Sequence, residues 1–169
     1  MRWILDANTL IYLIKANLQD KFLQLIHDPA IIDSSVHEEV VERGIAQGHL
    51  DAIAAKRFLE ENQIPIIPVD VSNDITYFKD VGEASCYNLT KQSGTCITSD
   101  TRAIKKLKTT GASCMQLDIF FLTKFLEHSI DEITLENTLD DLLHVNATTP
   151  ERKMEILKKT RTIKTEDAP

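Results

Sequence analysis

The chain has 169 residues, with 19 Lys and Arg against 26 Asp and Glu, and 43% of its residues are hydrophobic. This composition is typical of one soluble globular domain that folds without a disulfide or a structural metal, and it excludes collagen-like, coiled-coil and disordered chains. The net charge of −7 also argues against a protein whose whole surface binds nucleic acid.

The amino terminus and the cysteines indicate the compartment. Asp6 stands where a signal peptide needs an unbroken apolar core, and the chain nowhere approaches 18 consecutive apolar residues. The three cysteines, Cys86, Cys96 and Cys114, are an odd number without a C-x-x-C pair, so we expect reduced, packed thiols. These features predict a cytoplasmic protein without a membrane partner.

Apolar periodicity divides most of the chain into alternating strands and helices. In chain order, the pattern predicts a strand at residues 2–5, a helix from 8, a helix at 21–27, a strand at 30–33, helices at 35–46 and 49–61, an edge strand or extended connection at 64–71, a helix at 82–92, a strand at 95–98, a helix at 100–108 and a strand at 113–117. Asn8 is the predicted cap of the first helix, and Ser35 with Glu38 forms a capping-box pattern.

The last part of the chain is predicted to be helical. Asp118 is the predicted cap of the first of these helices, and Thr149 with Pro150 begins the last one. The predicted helices lie at residues 119–127, at residues 133–143 and from residue 150 onward. We divide the chain into a body at residues 1–128 and a helical, basic extension at residues 129–169.

The alternation determines the predicted fold class. Strands that are apolar on both faces and separated by helices are typical of a parallel sheet covered by helices. The sequence therefore predicts an α/β protein with a parallel five-stranded sheet flanked by helices, followed by the C-terminal helical extension. In such sheets, ligands bind beyond the carboxyl ends of the strands.

Two acids follow predicted strands at one edge of this sheet. Asp6 comes directly after the first strand and Asp100 lies just beyond the fourth. Two such carboxylates raise each other's pKa unless a cation neutralises them, and a divalent ion with oxygen ligands does so. Because the capping box accounts for Glu38, Glu39 is the inward candidate on its helix, and Glu83 begins another helix nearby. Each acid alone also has an ordinary interpretation as a turn, cap or first-turn residue.

Four stretches contain these acids, namely ILDANTLIYLI, SSVHEEVV, DVGEASCYNLTKQSG and TCITSDTRAIKKL. In order and context they resemble the PIN-domain family of metal-dependent ribonucleases, which includes the toxins of VapBC-type toxin–antitoxin pairs. The matching features are an Asp-x-Asn after the first strand, a V-x-x-E helix, a Gly-Glu helix and a T-x-D after the fourth strand. The resemblance covers about residues 1–125.

The resemblance implies a PIN-like nuclease domain at residues 1–128 that hydrolyses phosphodiester bonds of single-stranded RNA with Mg²⁺ or Mn²⁺. By this likeness, the catalytic and metal-binding acids are Asp6, Glu39, Glu83 and Asp100, and the polar supports are Asn8, Thr98 and Ser99. A homodimer and an antitoxin protein are further implied partners. Many members have Asp where Glu83 stands, and some have an acid in place of Ser99, so one fewer acid favours a single metal ion.

The residue types suit phosphodiester hydrolysis independently of the family. The reaction needs a nucleophilic water and a cation facing the developing negative charge, and a divalent ion held by carboxylates supplies both. RNA must then be gripped by cations outside the acidic pocket, and the candidates beside Asp100 are Arg102, Lys105 and Lys106. A second basic group lies in the tail and comprises Arg152, Lys153, Lys158, Lys159, Arg161 and Lys164. A solvated helix face is the ordinary alternative for both groups.

Two other function classes remain open at the level of sequence. An Asp-x-Asn after a strand is also similar to phosphatases of the haloacid-dehalogenase type, in which Asp6 would be a covalent nucleophile. Asn8 stands where those enzymes need a second acid. The other alternative is a catalytically inactive PIN-fold module that binds nucleic acid or a protein.

Overall fold

The computed structural model describes residues 1–78 and 81–166, with side chains as far as residue 160. The strands are β1 (Trp3–Leu5), β2 (Ala30–Asp33), β3 (Ile66–Ile67), β4 (Thr95–Ile97) and β5 (Cys114–Met115). The helices are α1 (Ala7–Lys15), α2 (Gln19–Leu25), α3 (Ser34–His37), α4 (Gly44–Ala46), α5 (Leu50–Glu61), α6 (Val81–Lys91), α7 (Thr101–Thr109), α8 (Leu117–Leu126), α9 (Glu132–His144) and α10 (Pro150–Glu166). A π-helical segment, Glu38–Arg43, lies between α3 and α4.

The five strands form one parallel sheet in the order β3-β2-β1-β4-β5, which confirms the predicted α/β class. The two-residue strand β3 lies between Pro65 and Pro68 at an edge, where prolines are tolerated. From β1 the chain runs outward through β2 to β3, and then returns to the other side of β1 to form β4 and β5. The carboxyl ends of β1 and β4 therefore form a topological switch point, where open α/β sheets bind ligands.

Both faces of the sheet are buried under helices. Along β1, Trp3 and Leu5 belong to one apolar cluster and Ile4 to another, because successive side chains of a strand point to opposite faces. Leu89 of α6 and Leu107 of α7 belong to the second cluster, so these two helices cover one face. The first cluster draws on most of the other helices, including α1, α2, α5, α8 and α9.

Two predicted helix caps are wrong, because the acid at the end of the preceding strand takes their place. Asp6, not Asn8, caps α1, and its Oδ1 accepts a hydrogen bond from the backbone N–H of Thr9 at 2.7 Å. Asp33, not Ser35, caps α3, and its Oδ1 accepts one from the Ser35 N–H at 2.6 Å. At both junctions the helix follows the strand without a loop, so the acid that directly precedes the helix becomes its cap.

The predicted single helix at residues 35–46 is divided by the π-helical segment. Glu38 does not close a capping box; its Oε1 accepts a hydrogen bond from Nη2 of Arg43, five residues on, at 2.7 Å. This spacing matches the i→i+5 period of a π-helix. The capping-box prediction for Ser35 and Glu38 is therefore wrong.

The extension packs against the body through apolar side chains and a buried ion pair. Asp118 lies inside α8, which Gln116 caps, so the predicted cap at Asp118 is wrong. Its carboxylate is 1% exposed and accepts hydrogen bonds from Arg152 Nη2 at 2.7 Å, Arg152 Nε at 2.8 Å and the Thr148 hydroxyl at 2.7 Å. Thr149 and Pro150 begin α10 as predicted, and the N–H of Arg152 donates to the Thr149 hydroxyl.

The burial of the cysteines and the character of the helices can be compared with the sequence-based expectations. Cys86 and Cys96 are free and buried, and Cys114 is free and half-buried, which confirms packed thiols. Within residues 1–78 and 81–166, no helix combines the length and apolar character needed to cross a bilayer.

Candidate functional site

The four predicted acids come together around one open cavity. The cavity has a volume of about 230 Å³ and lies beyond the carboxyl ends of β1 and β4. Its polar lining residues are Asp6, Asn8, Glu39, Glu83, Thr98 and Asp100. These side chains come from four separate segments of the chain. The topological switch point brings them to one place, although Asp6 and Asp100 are 94 positions apart in the sequence.

Asp6 is half-buried in this cavity and is held in place by the start of α1. Its N-capping bond to Thr9 orients the carboxylate, and the Thr9 hydroxyl donates to the Ile97 carbonyl of β4 at 2.8 Å, which ties α1 to that strand. Burial raises the pKa of Asp6, hydrogen bonds from Thr98 and Thr9 oppose that rise, and the neighbouring charge of Asp100 adds to it. A cation in the cavity would relieve this unfavourable burial of charge.

Asp100 caps α7 in the same manner as Asp6 caps α1. Its Oδ1 accepts hydrogen bonds from the N–H groups of Arg102 at 2.7 Å and Ala103 at 3.2 Å. The backbone N–H of Asp100 donates to the Thr98 hydroxyl at 3.2 Å. Capping occupies Oδ1 in both acids, and the N-termini of α1 and α7 direct their positive dipole ends towards this edge of the sheet.

Glu39 and Glu83 are the other two acids of the cavity lining. Glu39 belongs to the π-helical segment and is exposed at the rim of the cavity, although the sequence predicted an inward side chain. It also lines two adjoining concavities, together with Arg43. Glu83 is half-buried in the first turn of α6. π-helical turns are frequent at functional sites, and no residue pattern in the sequence pointed to this one.

The predicted polar supports have different positions. Thr98 is buried and contacts both aspartates through hydrogen bonds, while Asn8 is exposed at the cavity wall. Ser99 does not line the cavity. Its Oγ is buried and has no hydrogen-bond partner in the described part of the chain.

The floor of the cavity contains two thiols that sequence reasoning assigned to packing. Cys86 and Cys96 line the cavity beneath the acids. A hydrogen bond with Cys86, together with burial, raises the pKa of Cys96 well above its ordinary value. The Cys96 thiol therefore stays protonated at neutral pH and is a poor nucleophile.

The two predicted basic groups differ in their partners. On α7, Arg102 and Lys105 are exposed, whereas Lys106 is half-buried over two aromatic rings. In the tail, ion pairs link Arg152 to Asp118, Lys153 to Asp140 and Lys159 to Glu155. These three tail cations therefore form ion pairs within the protein. The side chains of Arg161 and Lys164 lie outside the described residues.

Two features near the site were missed at the sequence level. Asp33 ends β2 at the same edge as Asp6, a position that could have identified it, and its Oδ2 is buried without a hydrogen-bond partner among the described residues. Tyr77 and Phe78 lie in a turn that apolar periodicity does not predict, next to Lys106 of α7.

The donor set suits a hard divalent cation. All four acids offer carboxylate oxygens, which Mg²⁺ and Mn²⁺ prefer as ligands. Across residues 1–78 and 81–166, however, no three His, Cys, Asp or Glu side chains are grouped closely enough to hold one ion. Mg²⁺ keeps several waters and takes one or two carboxylates directly, so an open group of acids remains compatible with it.

Comparison with known proteins adds a likeness in fold. No family model and no curated protein sequence matches the chain. Among solved structures, it is similar to a domain of a functionally unknown protein from Methanocaldococcus jannaschii DSM 2661, with a TM-score of 0.50 and 18% identity, over 69% of this chain and 90% of that chain. At that identity, the likeness extends to the fold alone.

Proposed function

We propose that this protein is an endoribonuclease that uses Mg²⁺ or Mn²⁺ to hydrolyse phosphodiester bonds of single-stranded RNA. The observation that supports it is the convergence of Asp6, Glu39, Glu83 and Asp100 on one cavity at the switch point of the sheet. These are the four acids that the likeness to PIN-domain ribonucleases selects. By the same likeness, a homodimer and an inhibitory antitoxin protein belong to this proposal.

One or two of the four acids would bind the ion directly and the others would reach it through its bound waters, while the helix starts keep Asp6 and Asp100 in place. When bound, the ion would supply a nucleophilic water near neutral pH and positive charge opposite the scissile phosphate. Asp6 and Asp100 are positioned by backbone N–H groups of α1 and α7, which limits the reorganisation needed when charge develops. Since a metal-bound water can act as the nucleophile by itself, we assign the attack to water and not to a side chain.

RNA binding is assigned to the cations at the cavity margin. The acidic lining repels phosphates until a cation neutralises it, so cleavage is expected to depend strictly on the ion. Arg102 and Lys105 are exposed on the helix that Asp100 caps, and they can reach phosphates of a strand that enters the cavity. An unpaired strand is favoured because its phosphates can follow a concave edge that a rigid duplex cannot enter.

The test is cleavage of a mixed single-stranded RNA by the full chain with Mn²⁺ and with EDTA. We expect Asp6→Asn and Asp100→Asn to lower the cleavage rate by more than about 100-fold, which exceeds the effect typical of residues that merely support metal ligands. Asp131→Asn is the matched control, because Asp131 caps α9 through the same kind of bond to Thr134, at 2.7 Å.

Three outcomes contradict the proposal in different ways. Cleavage that persists in EDTA would exclude the metal, and cleavage that survives both site variants would exclude this cavity. RNA binding without cleavage by the unmodified chain would identify the inactive binding module. A phosphate trapped covalently on Asp6 would identify the phosphatase alternative.

A further inference from the structure

A small patch of two aromatic rings and one cation lies on the surface near α7. Nζ of Lys106 is 5.3 Å from the ring centroid of Tyr77 and 5.0 Å from that of Phe78. The two rings contact each other edge to face, with centroids 5.2 Å apart and planes at 80°. Cation–π and edge-to-face contacts of this kind orient the rings relative to one another.

Tyr77 differs from every other aromatic residue of the chain in its exposure. Among aromatic side chains, all of which lie in the described part, it alone is exposed, at 55%, while its neighbour Phe78 is 6% exposed. Phe78 therefore anchors the patch and Tyr77 presents ring surface to solvent.

The turn that carries Tyr77 is attached to α6. The backbone N–H groups of Tyr77 and Phe78 donate to the Asp74 carbonyl at 2.9 and 3.3 Å. The Asp74 carboxylate accepts a hydrogen bond from Asn88 Nδ2 at 2.9 Å and lies 3.5 Å from Lys91 Nζ. The exposed ring is thus held in a defined place relative to the helix that carries Glu83.

The patch adjoins the acidic cavity. Phe78 belongs to the same buried cluster as Cys86, Cys96 and Leu107, and these three residues line the cavity. Lys106 precedes Leu107 on α7, the helix that Asp100 caps. Phe78, which contacts the Tyr77 ring, therefore packs in one cluster with three residues of the cavity wall.

We propose that Tyr77 and Lys106 form a stacking subsite for one unpaired nucleobase of the RNA whose backbone enters the acidic cavity. This inference rests on the proposed function and names the part of the substrate that lies beside the scissile bond. The ring stacks on the face of any base, and Lys106 contacts an adjacent phosphate. The subsite selects unpaired over paired RNA, because a base inside a duplex cannot offer its face, and it does not read sequence.

The test is binding of a short fluorescent single-stranded RNA by full-length protein in the Asp6→Asn background, which prevents cleavage. We expect Tyr77→Ala to weaken binding by about fivefold or more, the size typical of one stacked base, while Tyr77→Trp and Tyr77→Phe retain it. Lys106→Gln should weaken binding and reduce its salt dependence by about one phosphate contact. Lys56→Gln on α5 is the charge-matched control, and it should change neither the affinity for RNA nor the salt dependence of binding.

A strand with one abasic nucleotide, placed at each position in turn, identifies the stacked base. At one position the missing base should weaken binding by the protein that retains Tyr77 and leave binding by the Tyr77→Ala variant unchanged. Equal affinities of these two proteins for all strands would overturn the subsite, even where the unmodified chain cleaves RNA. Absence of RNA binding by the protein that retains Tyr77 would overturn it as well. If the unmodified chain binds RNA but does not cleave it with Mn²⁺, and the Tyr77→Ala variant binds more weakly, the subsite is supported and the proposed nuclease activity is overturned.

Discussion

At the scale of single residues, the carboxylates at the strand ends differ in their surroundings. Asp6 faces the open cavity, whereas Asp33 is 1% exposed and is the last residue of β2, directly before α3. Burial raises the pKa of Asp33, and hydrogen bonds from Ser35 oppose the rise. Oδ2 of Asp33 is buried and has no hydrogen-bond partner in the described part of the chain. Folding therefore favours the protonated form of this carboxyl group.

The raised pKa of Asp33 predicts a specific dependence of stability on pH. A carboxyl group whose folded pKa is raised stabilises the fold most when it is protonated, so its contribution falls as pH rises from below the unfolded value through the folded one. Asp33→Asn keeps a capping oxygen and removes the charge. We expect the melting temperature of Asp33→Asn, relative to the unmodified chain, to increase between pH 4 and pH 7 in thermal denaturation.

Asp131→Asn is the control of opposite sign. Hydrogen bonds from Thr134 lower the pKa of Asp131, so this acid stabilises the fold above its unfolded pKa and loses that contribution as pH falls. Relative to the unmodified chain, Asp131→Asn should thus be least stable near pH 7 and recover towards pH 3. A pH-independent difference for Asp33→Asn would show that its carboxyl group titrates as in the unfolded chain.

At the scale of secondary-structure elements, the site is built from helix starts. Asp6 and Asp100 each end the connection from a strand and cap the next helix, so one carboxylate oxygen stabilises the fold. The same residue can therefore be structural and catalytic, and loss of activity in a variant does not by itself separate the two roles. The two roles can be separated with one substitution that removes both the capping oxygen and the charge and another that removes only the charge.

The two roles of Asp100 are separable with alanine and asparagine. Asp100→Ala removes the capping oxygen and should lower the free energy of unfolding by about 1 kcal/mol, while Asp100→Asn keeps the cap and the stability. Both should lose cleavage, because both remove the charge. Urea denaturation and the RNA assay measure the two effects on the same samples.

Asp131→Ala provides the reference for loss of a cap alone. It should lose about as much stability as Asp100→Ala and retain cleavage, because α9 lies outside the cavity lining. Full activity in Asp100→Asn would contradict a catalytic role for the carboxylate and leave Asp100 as a structural cap.

At the scale of the whole molecule, the extension is part of the folded core. Leu135, Leu139 and Leu142 of α9 and Ile156 of α10 are buried in the same cluster as residues of β1. The buried Asp118 carboxylate accepts hydrogen bonds from Nε and Nη2 of Arg152, which lies 34 positions further along the chain in α10. Arg152 thus binds the extension to the body and is not a substrate contact.

Loss of Arg152 should destabilise the whole chain. Arg152→Met leaves the Asp118 charge buried without its partner, and we expect the free energy of unfolding to fall by about 2 kcal/mol, less than for a fully buried pair because the Arg152 side chain is 33% exposed. Lys159→Met on the same helix breaks an exposed pair with Glu155 and should cost about 0.5 kcal/mol or less. Denaturant titration of both variants measures the difference, and equal effects would contradict the assignment.

Much of the fold and of the candidate site follows from local pattern. Alternating apolar strands and amphipathic helices predicted the parallel sheet, and Asp6 and Asp100 were selected because they follow strands. Helix caps were harder to predict, because Asn8 and Asp6 are both suitable capping residues and the choice depends on where the strand ends. The same holds for Ser35 and Asp33.

The order of the elements, their parallel arrangement and the acids at one edge could be predicted from local pattern, because they depend on the period of apolar residues within short segments. Tertiary structure decided which distant side chains meet. It placed Glu39 at the rim through a π-helical segment, set Tyr77 beside Lys106 of α7, and buried Asp118 against Arg152. Such contacts join residues far apart in the chain, and packing and charge neutralisation in three dimensions select them, so no local pattern encodes them.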